Sequence, residues 1–155
     1  MNRTTRLFII ALFAAVSGIF VTCTPEACFE ETNAYVKAFF YSDITKEAIA
    51  PDSITLYGIG NSSSMIYKRT SDVQPALIPL DASSESCTFA LRINGVTDTI
   101  TFMYSSYPHL ISKECGYTFY HNLDTVYHTK NTIDFIFRNS GSITTKNEEN
   151  IRIFY

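Results

Sequence analysis

Five stretches of this chain alternate with period two, and that rhythm permits little except β-sheet. In Tyr35–Tyr41, Val36, Ala38 and Phe40 share one side while Tyr35, Lys37, Phe39 and Tyr41 share the other. Phe89, Leu91 and Ile93 alternate with Thr88, Ala90 and Arg92, and Ile100, Phe102 and Tyr104 alternate with Thr99, Thr101 and Met103. Ile133, Phe135 and Phe137, then Ile151, Ile153 and Tyr155, repeat the pattern near the end of the chain. Successive strand side chains point to opposite faces, so this spacing predicts half-buried antiparallel strands, one face dry and one wet. Twelve Phe, ten Tyr and abundant Thr suit such pleated surfaces.

Turn chemistry separates the runs. Asn94-Gly95, between Ile93 and Val96, is a strong two-residue hairpin signal. Asn139–Ser142 reads as a second turn and Lys146–Asn150 as a charged loop before the last strand. Shorter strands are predicted at Ser53–Gly58, Met65–Lys68, Leu77–Leu80 and Tyr117–Asn122. The single helix candidate, Thr45–Ala50, would be stopped by Pro51. No repeat or long linker divides the chain. The expectation is one all-β domain over residues 33–155, an antiparallel β-sandwich of about eight or nine strands, immunoglobulin-like or related. The chain has no Trp, so the Cys–Trp–Cys spacing of true immunoglobulin domains is absent.

The N-terminal segment is of another kind. Arg3 and Arg6 precede an apolar run from Leu7 to Val21, broken only by Ser17 and Gly18. Two basic residues, a short apolar stretch and small residues near its end predict a secretory signal peptide. The run falls short of the roughly 20 residues a transmembrane helix needs. Phe20-Val21-Thr22-Cys23 resembles a bacterial lipobox, in which the cysteine receives diacylglycerol and becomes the first mature residue. It departs from that pattern at Phe20, where Leu is usual, and at Thr22, where Gly, Ala or Ser is usual. The expected division is a signal peptide over 1–22, lipidation of Cys23, and a short anchor and tether over 23–32. Each buried methylene contributes about 0.8 kcal/mol, so several acyl chains would hold the domain on a membrane. This predicts an outer-membrane lipoprotein of the cell envelope. Thr24 and Pro25, not an acidic run, follow Cys23, which favours the periplasm-facing side over surface display.

Removal of residues 1–22 lowers Lys plus Arg from 12 to 10 against 15 acidic residues, for a net charge near −5. That excludes the basic face nucleic acid demands, and it excludes electrostatic adhesion to anionic lipid. The membrane contact must then come through the lipid anchor.

Catalytic patterns are not found. Gly58-Ile59-Gly60 is followed by Asn61-Ser62-Ser63-Ser64, a loop in place of the helix a phosphate site needs. His121, Asp124 and His128 are the only clustered ligand types. They lack a metal-binding spacing, and His121 reads as a partly buried side chain with a backbone partner. No serine sits in a nucleophile elbow, and Glu30-Glu31 and Glu148-Glu149 read as solvated loop charge. The expectation is no enzyme, no cofactor and no metal. Phe39, Tyr41, Phe154 and Tyr107 fall opposite the core-facing positions, and outward aromatics can stack on sugars or join protein interfaces. The chain therefore reads as a non-enzymatic binding module for an envelope protein or glycan, with a structural accessory subunit of an envelope assembly as the alternative.

Several segments carry a resemblance. They are Glu26–Glu30 followed by Val36–Tyr41, then Leu77–Leu80, Ser112–Gly116 and Asn150–Tyr155. With these the chain resembles an uncharacterised family of small exported Bacteroidetes lipoproteins. The resemblance implies an envelope address and a role for Cys28 and Cys115, but no activity. Both cysteines sit at the ends of predicted elements, where sulfurs can meet without bending a sheet, so they are expected to pair. Cys87 adjoins an apolar strand and is expected to be a buried free thiol. Asp52-Ser53-Ile54, Asp98-Thr99-Ile100 and Asp124-Thr125-Val126 resemble the triplet used for O-glycosylation of exported proteins in that phylum. Ser53, Thr99 and Thr125 are the candidate acceptors, with Ser53 expected to be the most accessible because it follows Pro51 in a loop.

Overall fold

The computed structural model describes residues 27–60 and 65–155. In chain order the strands are β1 (Tyr35–Tyr41), β2 (Ile54–Gly58), β3 (Met65–Thr70), β4 (Ala76–Pro79) and β5 (Ser86–Ile93), followed by β6 (Val96–Ser112), β7 (Gly116–His128), β8 (Phe135–Arg138), β9 (Ser142–Ile143) and β10 (Ile151–Phe154). They form a four-stranded sheet in the order β4-β1-β10-β8 and a six-stranded sheet in the order β3-β2-β5-β6-β7-β9. Val36, Ala38, Phe40, Ile78, Ile151 and Ile153 from the first sheet meet Ile54, Leu56, Leu91, Ile93, Ile100 and Phe102 from the second in one core. The molecule is a β-sandwich.

Several elements differ from the sequence reading. There are ten strands among the described residues, one more than the upper end of the expected number. The extra one is β9, whose two residues are too few to display an alternation. It begins at Ser142, the last residue of the predicted turn. Pairing is antiparallel except between β1 and β10, where Ala38–Tyr41 run parallel to Ile151–Phe154. Period two fixes which residues face inward but not a strand's direction. Thr45–Ala50 is not helical. Ser42 Oγ accepts from the Ile44 and Thr45 N–H groups, each at 3.2 Å, and Lys46 adopts φ 61°. The Ser42 side chain competes for backbone donors, and the left-handed Lys46 stops helical propagation. Asn94 and Gly95 have φ 48° and 95°, the two positive values that the tight β5–β6 hairpin turn requires.

β6 and β7 far exceed the predicted Thr99–Tyr104 and Tyr117–Asn122. Their ladder runs from Ile100 opposite His128 to Ser112 opposite Gly116. Ser105, Ser106, Pro108 and His109 interrupt the apolar alternation of β6 but not its pairing. The loop after β9 folds back on β1. Lys37 Nζ donates to the Lys146 carbonyl at 2.7 Å, and Asn150 Oδ1 accepts from the Lys37 N–H at 2.8 Å. Lys37 is thereby buried, although it lies on the side of β1 facing away from the core.

Asp98 closes one end of the sandwich. It is in phase with Ile100, Phe102 and Tyr104 on the core face of β6 and is 1% exposed. Its carboxylate accepts from Thr129 Oγ1 (2.5 Å) and from the backbone N–H groups of Asn131 (2.8 Å), Thr132 (2.8 Å) and Ile133 (3.0 Å). These bonds shape the β7–β8 loop and deliver Ile133 to the core from a loop rather than from the predicted strand. Burial pushes the Asp98 carboxyl pKa up, but the four hydrogen bonds outweigh it and hold the group below the usual carboxylate range. A carboxylate with a depressed folded pKa contributes stability that is complete above its unfolded value and is lost as pH falls through the folded one. Asp98→Asn should therefore cost about 2–4 kcal/mol in urea unfolding at neutral pH. The gap from the parent chain should narrow as pH falls through the depressed pKa of the folded-state carboxyl. A gap that stays constant with pH would contradict the carboxylate's role.

Candidate functional site

The outer face of the four-stranded sheet carries a row of rings. Tyr41 on β1 lies opposite Phe154 on β10, which lies opposite Phe135 on β8. Tyr41 and Phe154 stack at 5.3 Å and 30°, and Phe154 and Phe135 at 4.1 Å and 12°. Lys46 Nζ sits 5.1 Å from the Phe135 centroid and 5.3 Å from that of Phe154, and the Arg152 guanidinium sits 5.2 Å from that of Tyr41. Each such cation–π contact contributes about 0.5–1 kcal/mol at an exposed site. Glu149 accepts two bonds from Arg152, at 3.1 and 2.8 Å, and one from the Tyr41 hydroxyl at 2.8 Å. Glu149 is thus a half-buried, bonded residue, not the solvated loop charge its sequence context suggests. Phe154 points outward as expected, yet it is only 8% exposed because Phe135 and Tyr41 wall it in.

Sugars stack on open ring faces, and here the stack covers Phe154 from both sides. What remains outward is Phe135 and Phe137, 40% and 50% exposed, the second opposite Arg152 in the next row. That composition, aromatic with Arg, is the composition of protein interfaces. Tyr107 does not join the row. It lies on β6, edge-on to Tyr120 at 6.2 Å.

A polar nest lies between the sheets. Tyr104, 2% exposed, donates its hydroxyl proton to the Asp81 carbonyl at 2.9 Å and accepts from the Asp81 N–H at 3.1 Å. Its remaining lone pair faces Cys87 Sγ at 2.9 Å, so the thiol is the donor there. Burial pushes the Tyr104 pKa up. Cys87 is half-buried, not buried as expected, because it sits where the sandwich meets solvent beside Asp81. His121 is buried, with its Nδ1 2.8 Å from Ser106 Oγ and its ring edge-on to Tyr104 at 5.4 Å. Its partner is a side chain, not the expected backbone group, and burial lowers its pKa. A one-residue bulge at Asp124, where Met103 opposes Thr125 and Tyr104 opposes Leu123, turns Leu123 and His121 inward. Among the described residues no three His, Cys, Asp or Glu side chains gather as metal ligands. Alternation puts Tyr104 on the core row but not its partners, because Asp81 lies in a loop and the bulge shifts the phase of β7.

The remaining singled-out residues are scattered. Cys28 and Cys115 stand at disulfide distance, with Cα atoms 4.8 Å apart across 87 residues of sequence. Cys115 lies in the β6–β7 turn beside Gly116, whose φ is 73°. Thr118 Oγ1 donates to the Thr32 carbonyl at 2.6 Å, so the segment before β1 runs beside the hairpin. Cys23 and the predicted signal peptide lie outside the described residues, as do Asn61–Ser64. Thr125 is exposed, whereas Ser53 and Thr99 are half-buried. The Ser53 N–H donates to Asn94 Oδ1 at 3.1 Å, and the Thr99 N–H donates to Thr129 Oγ1 at 2.9 Å. Thr125, not Ser53, is therefore the most accessible of the three. Tyr104→Phe should cost about 1–3 kcal/mol, because it strips partners from both Asp81 backbone groups and from Cys87. Cys87 in that variant should also react faster with a thiol reagent in native buffer. Unchanged stability and an unchanged rate would show that the nest is not a bonded unit.

The sequence profile of DUF6452, a family of unknown function, matches residues 53–155, which takes in β2 to β10 and Cys115. No curated protein and no solved structure matches the chain.

Proposed function

The chain belongs to the DUF6452 family, which brings no activity with it, and we propose from its own residues that it is a lipid-anchored cell-envelope protein that binds a protein partner and catalyses no reaction. The observation that carries the binding reading is the stacked row of Tyr41, Phe154 and Phe135 beside exposed Phe137 and Arg152, the aromatic-with-Arg composition of protein interfaces. A glycan would need several open ring faces side by side, and the central Phe154 is covered on both sides. A standing role as an accessory subunit of an envelope assembly is the second reading, favoured because the row is built on one rigid sheet face. The anchor rests on Arg3, Arg6, the apolar run and Phe20–Cys23. The resemblance to small exported Bacteroidetes lipoproteins supports it and adds the envelope address, while Thr24 and Pro25 in place of an acidic run favour the periplasm-facing side of the outer membrane. Thr125 is the O-glycosylation acceptor on this reading, through its exposure on β7.

Intact mass of the mature chain should show acylated Cys23, and Cys23→Ser should move the protein from the membrane fraction to the soluble periplasm. An unmodified Cys23 would refute the anchor. A photocrosslinking residue in place of Phe137 should capture one stoichiometric envelope protein in cells, and Arg152→Ala should weaken that capture several-fold. Crosslinks only to glycan, or none above those from exposed Thr97, would contradict the binding face.

A further inference from the structure

The core face of β6 and β7 continues past the core. On β6, Ile100, Phe102 and Tyr104 are buried, but beyond Ser106 the same row continues into exposed Pro108 and Leu110. On β7, Leu123 and His121 are buried, then Phe119 and Tyr117 are 48% and 75% exposed. Pro108 lies opposite Phe119 and Leu110 opposite Tyr117, so all four share the face that is covered further back. Burial ends where the opposing sheet ends, since Tyr35, the first residue of β1, lines the same groove as Phe119 and His121. The hairpin overhangs the sandwich and leaves an apolar, aromatic stripe without a second layer. Phe29, 90% exposed, lies one residue beyond the bridge to Cys115 at its tip.

We propose that this overhang rests on the bilayer surface that holds the anchor, a reading that depends on lipidation of Cys23. The covalent geometry argues for a lipid occupant. Cys23 and Cys28 are five residues apart, a reach of at most about 17 Å. Cys28 is held at the hairpin tip by Cys115, and Thr118 holds Thr32 further along. Without the bridge the tether would run free to Thr32, a reach of about 30 Å. The bridge therefore turns a leash into a mount and brings the stripe to the membrane. Tyr and Phe are side chains that settle at the headgroup level, with an apolar body and, for Tyr, a polar tip. Glu30, Glu31 and Glu114 against Lys113 give the tip an acidic balance, which suits a zwitterionic surface over an anionic one.

The chain contains no Trp, so one introduced Trp is a unique emission probe. The acylated protein carrying Tyr117→Trp is reconstituted into phosphatidylcholine vesicles with acyl chains brominated near the headgroup, and intact mass of the same preparation reports on Cys23. Emission should shift to the blue and fall at least twofold against unbrominated vesicles. Val96→Trp, about 46 Å back along β6 from Leu110, should be unaffected. Cys115→Ser in the Tyr117→Trp background should still float with the vesicles but lose most of the quenching. Acylated, vesicle-bound Tyr117→Trp protein whose emission is unquenched, or is fully quenched without the bridge, would overturn this inference alone. An unmodified Cys23 would overturn the anchor and this inference together.

Discussion

The β6–β7 ladder is the interaction on which the rest of the molecule depends. Just before it begins, Asp98 gathers the β7–β8 loop and places Ile133 in the core. Along its middle, Ile100, Phe102, Tyr104 and Leu123 supply one wall of that core. At its far end the ribbon leaves the sandwich and receives the segment before β1 through Cys28–Cys115 and Thr32–Thr118. A two-stranded ribbon is marginal alone in water, so the overhang needs those attachments. Closing a loop of this length contributes about 4–5 kcal/mol in the chain-entropy model. The bridge is therefore comparable in weight to the whole Asp98 cluster at the other end.

How much of this could be read from the sequence follows from what period two encodes. It reports which side chains share a face, and β1 is found with its observed ends, Tyr35 and Tyr41. It even places Asp98 in phase with the core row, although the donors that make its burial tolerable lie 31 to 35 residues later in an unpatterned loop. The parallel pairing of β1 with β10 was not legible, because strand direction leaves no trace in the spacing. Neither was the bulge at Asp124, which resets the phase of β7 without breaking it. The overhang was hidden for a related reason. Leu110, Tyr117 and Phe119 look like core residues until the opposite layer is seen to stop. Cys28 and Cys115 were legible because both fall at element ends, where sulfurs can meet freely.

On the proposed reading the two working surfaces occupy different ends of β1. The strand begins beside the overhang at Tyr35 and ends in the stacked row at Tyr41. Six residues of extended chain separate them by about 20 Å. A domain mounted by its hairpin would present the row at a fixed height above the bilayer, where an envelope protein could meet it. The buried polar groups Asp98, His121 and Tyr104, with Cys87 beside them, are engaged in bonds inside the fold.

The bridged overhang carries the most weight in this picture of the molecule, and amide hydrogen exchange tests it directly. In the oxidised chain, the amides that pair across β6 and β7 within Tyr107–Leu110, where Pro108 has no N–H, and within Tyr117–Tyr120 should be protected nearly as well as the paired amides of Ile100–Tyr104. After mild reduction the first two groups should exchange quickly while Ile100–Tyr104 stays protected, because the ribbon frays and the sandwich does not. Rapid exchange of the overhang with the bridge intact, or loss of protection throughout on reduction, would contradict a hairpin held out from the core by Cys28–Cys115.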